Sequence, residues 1–287
     1  MDFKTLLHNR QRVLPIIGTP TALSAMMVKK MGGEAIYLSG GVLSANQYGL
    51  PDLGLTSFDN VLVEVDRITD ACDLPLLVDI DTGWGGLLGT QRVVKKLIKS
   101  GAKGLHIEDQ ITQKRCGHRP NKMLVSVTEM CNRIKACVDA KTDSDFMVLA
   151  RTDSFSKEGL NGAIDRANAY LEAGADGIFI EALHTLDEYQ LFTQSVKAPV
   201  LANMTEFGET PYFSQKELTE VEISMALYPV TLARMMNQAA ESAINSILNK
   251  GSQKSIIDQM QTREQLYEIL NYQQYENIID NIQRETA

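Results

Sequence analysis

Eight short apolar runs punctuate this chain, and a helical pattern follows each of them. The runs cover residues 13–17, 35–38, 76–78, 104–107, 146–150, 177–180, 199–202 and 223–227. They are apolar nearly throughout instead of alternating with polar residues. Strands of that kind are buried on both faces, as in a parallel sheet covered by helices. The helical patterns end near Gly32 and Gly33, then cover 61–71, 91–100, 127–141, 160–173, 186–196, 215–220 and 231–250. Ser126-x-x-Glu129, Thr185-x-x-Glu188 and Ser214-x-x-Glu217 read as capping boxes, in which two side chains satisfy free amides at a helix start. Gly101, Gly174 and Gly251 stand where helices should stop. Eight strand–helix units within 287 residues predict an α/β fold, a (β/α)8 TIM-type barrel, with a doubly wound open sheet as the alternative.

Residues 1–250 would form the catalytic barrel and 251–287 a C-terminal helical extension. Ile256, Ile257, Met260, Tyr267, Leu270, Tyr272, Tyr275 and Ile279 make that extension too apolar for a free tail. It should pack on the barrel or on a neighbouring subunit.

Composition narrows the function. The formal net charge is −8, and no basic run extends beyond the 114–119 segment, so nucleic acid is not expected as a partner. No apolar run reaches the roughly 18 residues that span a bilayer. The start, Met1-Asp2-Phe3-Lys4, lacks the order of a signal peptide. Cys72, Cys116, Cys131 and Cys137 show neither CxxC spacing nor disulfide density, which points to a reducing, cytoplasmic location. An acidic protein that binds an acidic substrate must place its cations locally.

In a (β/α)8 barrel the active site lies at the C-terminal ends of the strands. Polar residues fall there unit after unit: Ser39-Gly40-Gly41, Asp79-Ile80-Asp81, Glu108-Asp109, Arg151-Thr152-Asp153, Glu181, Asn203-Met204-Thr205-Glu206, and Tyr228-Pro229 with Arg234 beyond it. Asp79 and Asp81 are two apart on a strand and should share a face. With Glu108 they form an oxygen-rich cluster whose mutual repulsion a divalent cation would relieve. Hard oxygen ligands without paired histidines suit Mg²⁺ or Mn²⁺, and Mg²⁺ keeps several of its waters. Gly83-Trp84-Gly85-Gly86 is not a dinucleotide fingerprint and reads as a flexible loop. His8 reads as a surface group, His106 as a strand residue packed in the barrel, and His184 as a polar residue at a helix start. Cys72, Cys131 and Cys137 read as core filler.

The fourth cysteine is different. Lys114-Arg115-Cys116-Gly117-His118-Arg119-Pro120 surrounds one thiol with cations and a possible imidazolium, a setting that stabilises a thiolate. Gly117 lets the backbone approach a ligand closely.

The run 114–122 and Lys114-Arg115-Cys116-Gly117-His118 within it resemble the signature of the isocitrate lyase / phosphoenolpyruvate mutase superfamily, and the 2-methylisocitrate lyase family in particular. Tyr37–Gly41, Val78–Gly85, Ala150–Asp153, Asn203–Gly208 and Met260–Arg263 extend the resemblance from about residue 10 to about 280. Isocitrate lyases carry large insertions for which this chain has no room. The resemblance implies metal-dependent cleavage of 2-methylisocitrate to pyruvate and succinate in the methylcitrate cycle of propionate breakdown, by a homotetramer whose last helix is exchanged between subunits. It implies that Ser39, Gly40 and Gly41 bind a substrate carboxylate, and that Asp79 and Asp81 hold the metal with Asp52 and Glu108 in its water shell. Cys116 would be the catalytic acid, with Gly117 adding a backbone contact. Arg151, Glu181, Asn203, Thr205, Arg234 and Arg263 would complete the substrate site. Phe179-Ile180-Glu181 departs from the family's usual Phe-Pro-Glu.

An acid must carry its proton, so a basic loop poses a difficulty. Closure of the loop with substrate, whose negative charge would raise the thiol pKa, is the expected resolution. The general base is not readable from the sequence; Tyr37 and a metal-linked water are the candidates, and Phe179 and Leu227 would form a recess for the extra methyl. Isocitrate cleavage, oxaloacetate decarboxylation, phosphoenolpyruvate mutation on the same fold, and a catalytically silent binding barrel are the competing readings.

Overall fold

The computed structural model describes residues 1–8 and 11–285. Eight parallel strands close into a barrel in sequence order: β1 (Leu14–Gly18), β2 (Ile36–Leu38), β3 (Leu76–Asp79), β4 (Gly104–Glu108), β5 (Met147–Thr152), β6 (Gly177–Ile180), β7 (Val200–Asn203) and β8 (Met225–Tyr228). β8 pairs back onto β1, with Leu14 opposite Met225 and Ile16 opposite Leu227. The helices are α1 (Phe3–Leu7), α2 (Ala22–Lys30), α3 (Gly40–Tyr48), α4 (Phe58–Ala71), α5 (Gly86–Lys99), α6 (Val127–Asp139), α7 (Phe155–Glu172), α8 (Leu186–Ser195), α9 (Gln215–Glu220) and α10 (Thr231–Lys250). A 3-10 turn (Lys254–Gln259), α11 (Arg263–Ile269) and α12 (Tyr272–Glu285) follow, so the C-terminal helical extension comprises three pieces. The chain divides into two compact units, Met1–Ala233 and Arg234–Ala287. Within the second, Tyr267 and Tyr272 stack with ring centroids 4.1 Å apart.

Two apolar layers explain why the strands lack alternation. One set of buried residues, including Leu38, Val78, Ile107, Val148 and Ile178, packs outward against the helices. A second, including Ile16, Tyr37, Leu77, Leu149, Phe179, Leu201 and Leu227, fills the barrel interior. Phe3 belongs to the interior set and is fully buried. With Leu6 and Leu7 packed beside it, α1 stoppers one end of the barrel, a role its five residues are too short to announce in sequence.

Helix starts follow the expected chemistry with one exception. Thr185/Glu188 and Ser214/Glu217 form reciprocal capping boxes. Ser126 accepts from the Glu129 amide, but Glu129 turns its carboxylate to Arg133 at 2.7 Å and does not return the bond. The segment after β3 is anchored, not loose: the Trp84 indole donates to the Thr56 carbonyl at 3.2 Å and packs against Phe58. Helix α3 escapes sequence reading because it opens on Gly40-Gly41, poor helix formers. Ser39 caps it by accepting from the Val42 amide, and Gly49 ends it at φ 63°.

Candidate active site

On each strand the inward-facing residues recur every second position, so the residue two beyond an interior hydrophobe reaches the barrel mouth on the same side. Tyr37 leads to Ser39, Leu77 to Asp79, His106 to Glu108, Leu149 to Arg151, Phe179 to Glu181 and Leu201 to Asn203. A cavity of about 100 Å³ lies at that mouth. Ser39, Gly41, Asp52, Asp79, Cys116, Gly117, Arg151, Glu181, Asn203 and Thr205 line it, together with Tyr37, Phe179, Leu227, Pro229 and Val230. Lys114 and His118 also line it, although neither has a separate role on sequence grounds. A more open groove bounded by Pro51, Asp52, Leu53, Gly54 and residues 112–116 adjoins Cys116 from outside.

Gly40, Asp81 and Glu108 stand behind this lining. The Gly40 amide donates to Asp79 Oδ2 at 3.1 Å, so it orients a carboxylate of the protein. Asp81 lies past the end of β3 in the left-handed region, at φ 47°. Its nearness to Asp79 therefore comes from a turn and not from strand alternation. Its amide donates to Asp79 Oδ1 at 3.0 Å. Arg234 lies in α10 and Arg263 opens α11, both in the second unit.

Charges at the mouth are tightly paired. Arg151 donates to both oxygens of Asp153, from Nε at 3.0 Å and from Nη2 at 3.2 Å. It lies over the Phe179 ring at 5.0 Å and faces Glu108 and Glu181 at 3.6 and 3.9 Å. Such a two-point charge-assisted clasp fixes the guanidinium plane before any ligand arrives. Lys114 is buried, and its ammonium sits 2.8 Å from Asp52 and 2.5 Å from Asp81. Burial opposes its charge, but Asp81, Glu108, Asp79 and Asp52 hold its pKa well above the usual lysine value. Burial likewise opposes ionisation of Asp79, yet His106, Lys114 and Arg151 hold that carboxyl well below its usual range. Burial pushes His106 itself down to about 4. At neutral pH the pull on Asp79 therefore comes from the two permanent cations.

The carboxylates suit a hard divalent cation. Burial raises Asp81 to about 6, against the pull of Lys114 and with help from Asp79, and pushes Glu108 well above its ordinary value. Both Glu108 oxygens are buried without a hydrogen-bond partner. Asp81 Oδ1 also lacks one of regular geometry, although it touches the Lys114 ammonium. More negative charge is concentrated here than the local cations balance. The donor set is all oxygen, which fits such an ion. Among the described residues no three His, Cys, Asp or Glu side chains converge as a complete ligand cluster.

The cysteine loop contradicts the expectation of a thiolate. Burial is the first cause acting on Cys116 and raises its pKa; the His118 amide and Arg151 oppose it only in part. Two of the loop's basic side chains are engaged elsewhere. Lys114 faces Asp52 and Asp81, and His118 Nε2 lies 2.5 Å from Glu181 Oε1. His118 Nδ1 accepts from the Glu209 amide at 3.0 Å, so Nε2 is the ring nitrogen that faces Glu181. Tyr37 is one of the two candidate bases. Burial and Asp79 push its phenol well above 10, and it shares a 2.8 Å hydrogen bond with His106 Nε2. His106 is packed in the barrel as expected, His8 is exposed, and Cys72 and Cys137 are buried, with Cys131 half-buried. No helix among the described residues is long and apolar enough to cross a membrane.

Comparison with known proteins agrees with this geometry. The family model described as phosphoenolpyruvate phosphomutase matches residues 3–248. The chain is 53% identical over 274 residues to 2-methylisocitrate lyase of Escherichia coli (strain K12), covering 95% of this chain and 93% of that one. It is 50% identical to 2-methylisocitrate lyase of Vibrio cholerae, over 94% of this chain and 89% of the relative. A crystal structure of 2,3-dimethylmalate lyase superposes with a TM-score of 0.89 at 29% identity, over 96% of this chain and 92% of that one. Likeness of this depth, running through barrel and loop alike, gives the chain one placement: it belongs to the phosphoenolpyruvate phosphomutase / isocitrate lyase superfamily, alongside the 2-methylisocitrate lyases.

Proposed function

We propose that this chain is a carbon–carbon lyase that cleaves 2-methylisocitrate to pyruvate and succinate. The observation that carries the reading is the shared cavity of Asp79, Cys116 and Arg151, with Phe179, Leu227, Pro229 and Val230 as an apolar wall. A tricarboxylate with one extra methyl matches that division between cations and hydrophobes.

Arg151, held rigid by Asp153, binds a substrate carboxylate, and Ser39 and Gly41 at the start of α3 offer hydroxyl and backbone donors. Asn203 and Thr205 orient the remaining oxygens. Arg234 and Arg263 are assigned to the substrate on the resemblance alone. Asp79 and Asp81, with Asp52 and Glu108 through water, would hold Mg²⁺ or Mn²⁺, which supplies positive charge that acidifies the substrate hydroxyl and steadies the developing dianion. The hydroxyl proton passes to a water of the cavity, and as the carbon–carbon bond breaks the methyl-bearing carbon becomes a ketone, that of pyruvate. The electron pair of the breaking carbon–carbon bond passes to the succinyl fragment. Cys116 gives its thiol proton to that carbon and must regain one before the next turnover. A thiol kept neutral by burial suits this step.

The remaining assignments accompany this reading. Exposed Tyr275 and Ile279 on α12 support a homo-oligomer, for which we take a tetramer. Four free cysteines suit a reducing cytoplasm. Propionate breakdown is the pathway such a reaction serves.

The test compares turnover of 2-methylisocitrate and isocitrate with Mg²⁺ and after chelation. One methyl in an apolar recess should favour the methylated substrate by about 10–200-fold, and chelation should abolish activity. Equal or faster cleavage of isocitrate would replace this reading with isocitrate lyase activity. A Cys116→Ser variant that keeps near wild-type turnover would remove the acid role.

A further inference from the structure

Outside the cavity lining, two buried polar side chains grip the backbone on either side of Cys116. Gln110 is 1% exposed and Lys122 is 4% exposed. The Gln110 amide makes a matched pair of bonds with the Arg115 main chain, donating from Nε2 to its carbonyl and accepting from its amide, both at 2.9 Å. Lys122 donates from Nζ to the Gly117 carbonyl and, at 3.1 Å, to Asp153 Oδ1. The residue before the thiol and the residue after it are therefore each held by a side chain from the loop's own stem.

That stem is rigid. Ile111 donates to the Met123 carbonyl and Val125 to the Asp109 carbonyl, each at 2.9 Å, flanking the Gln110–Leu124 bridge. Arg133 fixes the Gln110 carbonyl at 2.8 Å. Asp153, the anchor for Lys122, is the same residue that clasps Arg151. Its amide donates to Asp109 Oδ1 at 3.0 Å, and Asp109 is braced by Thr152 and Tyr170 at 2.7 and 2.8 Å.

A buried lysine is a poor device for stability alone, because a hydrophobe of similar volume usually serves as well. Its value lies in geometry. We propose that Gln110 and Lys122 are positioning residues that set the thiol of Cys116 against the Arg151 clamp, with Asp153 as their common reference point. Neither lines the cavity, so neither acts on substrate directly. The proposal deepens the lyase reading and rests on it for the kinetic part of its test.

The experiment uses Lys122→Met and Gln110→Leu in the full chain, with Lys122→Arg as the rescue. Measured are kcat and KM for 2-methylisocitrate with Mg²⁺, and the rate at which iodoacetamide labels Cys116, followed by the mass of its peptide. Loosening the loop should lower kcat about tenfold or more, with KM within about threefold, and should speed labelling of Cys116 about fivefold. Lys122→Arg should recover most of both. Wild-type kcat in both variants, or a fall in kcat with labelling unchanged, overturns the proposal. If Lys122→Met does not fold, Gln110→Leu alone decides between these outcomes. Wild-type protein inert toward 2-methylisocitrate would refute the lyase reading instead, and the labelling comparison would still decide whether the two residues hold the loop.

Discussion

Replacing Gly117 by alanine tests how closely the cysteine loop must approach the barrel. A Cβ built at Gly117 would lie 2.3 Å from Arg151 Nη2 and 2.7 and 2.8 Å from Glu181 Cγ and Cδ. Neither neighbour is free to yield. Arg151 is clasped by Asp153 at two points, and Glu181 accepts from Asn203 Nδ2 at 3.1 Å while facing His118. The loop itself must therefore retreat by roughly 1 Å to restore ordinary contact, carrying Cys116 with it. A displacement of that size at a reacting group costs on the order of 100-fold in rate, equivalent to about 2.7 kcal/mol of transition-state stabilisation. The fold should survive, since both loop arms leave a paired stem. Steady-state kinetics with a thermal melt gives the answer: kcat for Gly117→Ala should fall by about two orders of magnitude while the melting temperature moves by only a few degrees. Activity within threefold of wild type would show that the loop works without this contact, and would refute the closed geometry as the reacting one.

The thiol gives a prediction in pH. Burial raises the Cys116 pKa, so the proton stays on sulfur at pH values where a free thiol, near about 8.5, has begun to ionise. Activity that depends on the protonated thiol should persist as pH rises through that value and decline only above it; a basic limb of kcat at or below it, lost in a Cys116→Ser background, would contradict this. Phe3→Ala should destabilise the chain by about 3–5 kcal/mol, because Phe3 is fully buried among the interior residues. Urea unfolding measures the loss, and kcat should stay within twofold of wild type, since the stopper lies away from the residues at the mouth.

Much of this architecture is written in hydrophobic pattern and strand period. Leu149-Ala150-Arg151 shows how: Leu149 fills the interior, Ala150 faces the helices, and Arg151 returns to the interior side at the rim. The same two-residue step carries Phe179 to Glu181 and Leu201 to Asn203. Both parities are apolar until the strand ends, so the run looks uniform and the site appears where uniformity breaks. Asp81 marks the limit of that logic. It reaches Asp79 through a left-handed turn that no strand periodicity encodes. Helix α3 is hidden by its two leading glycines, whose low propensity is outweighed once Gly40 packs its Cα against Asp79, where a Cβ would come within 3.1 Å of Oδ2. Gln110 and Lys122 are illegible for another reason. Both hold main-chain atoms of their own loop, and sequence identity says nothing about which carbonyl a lysine will meet.

The charge around Cys116 shows why composition misleads at such a site. Read linearly, lysine, arginine and histidine beside a cysteine describe a thiolate. In space the attraction is divided by distance and by competition. Lys114 is drawn to Asp52 and Asp81, and His118 to Glu181, because those carboxylates need compensation more than a neutral thiol does. Each pairing turns a basic side chain away from the sulfur and ties the loop to the residues of the mouth, where burial raises the thiol pKa. Loop position and thiol protonation thus become one property. The contacts that deliver Cys116 to the cavity are the same contacts that leave it neutral, and a neutral thiol is what protonation of a carbanion requires.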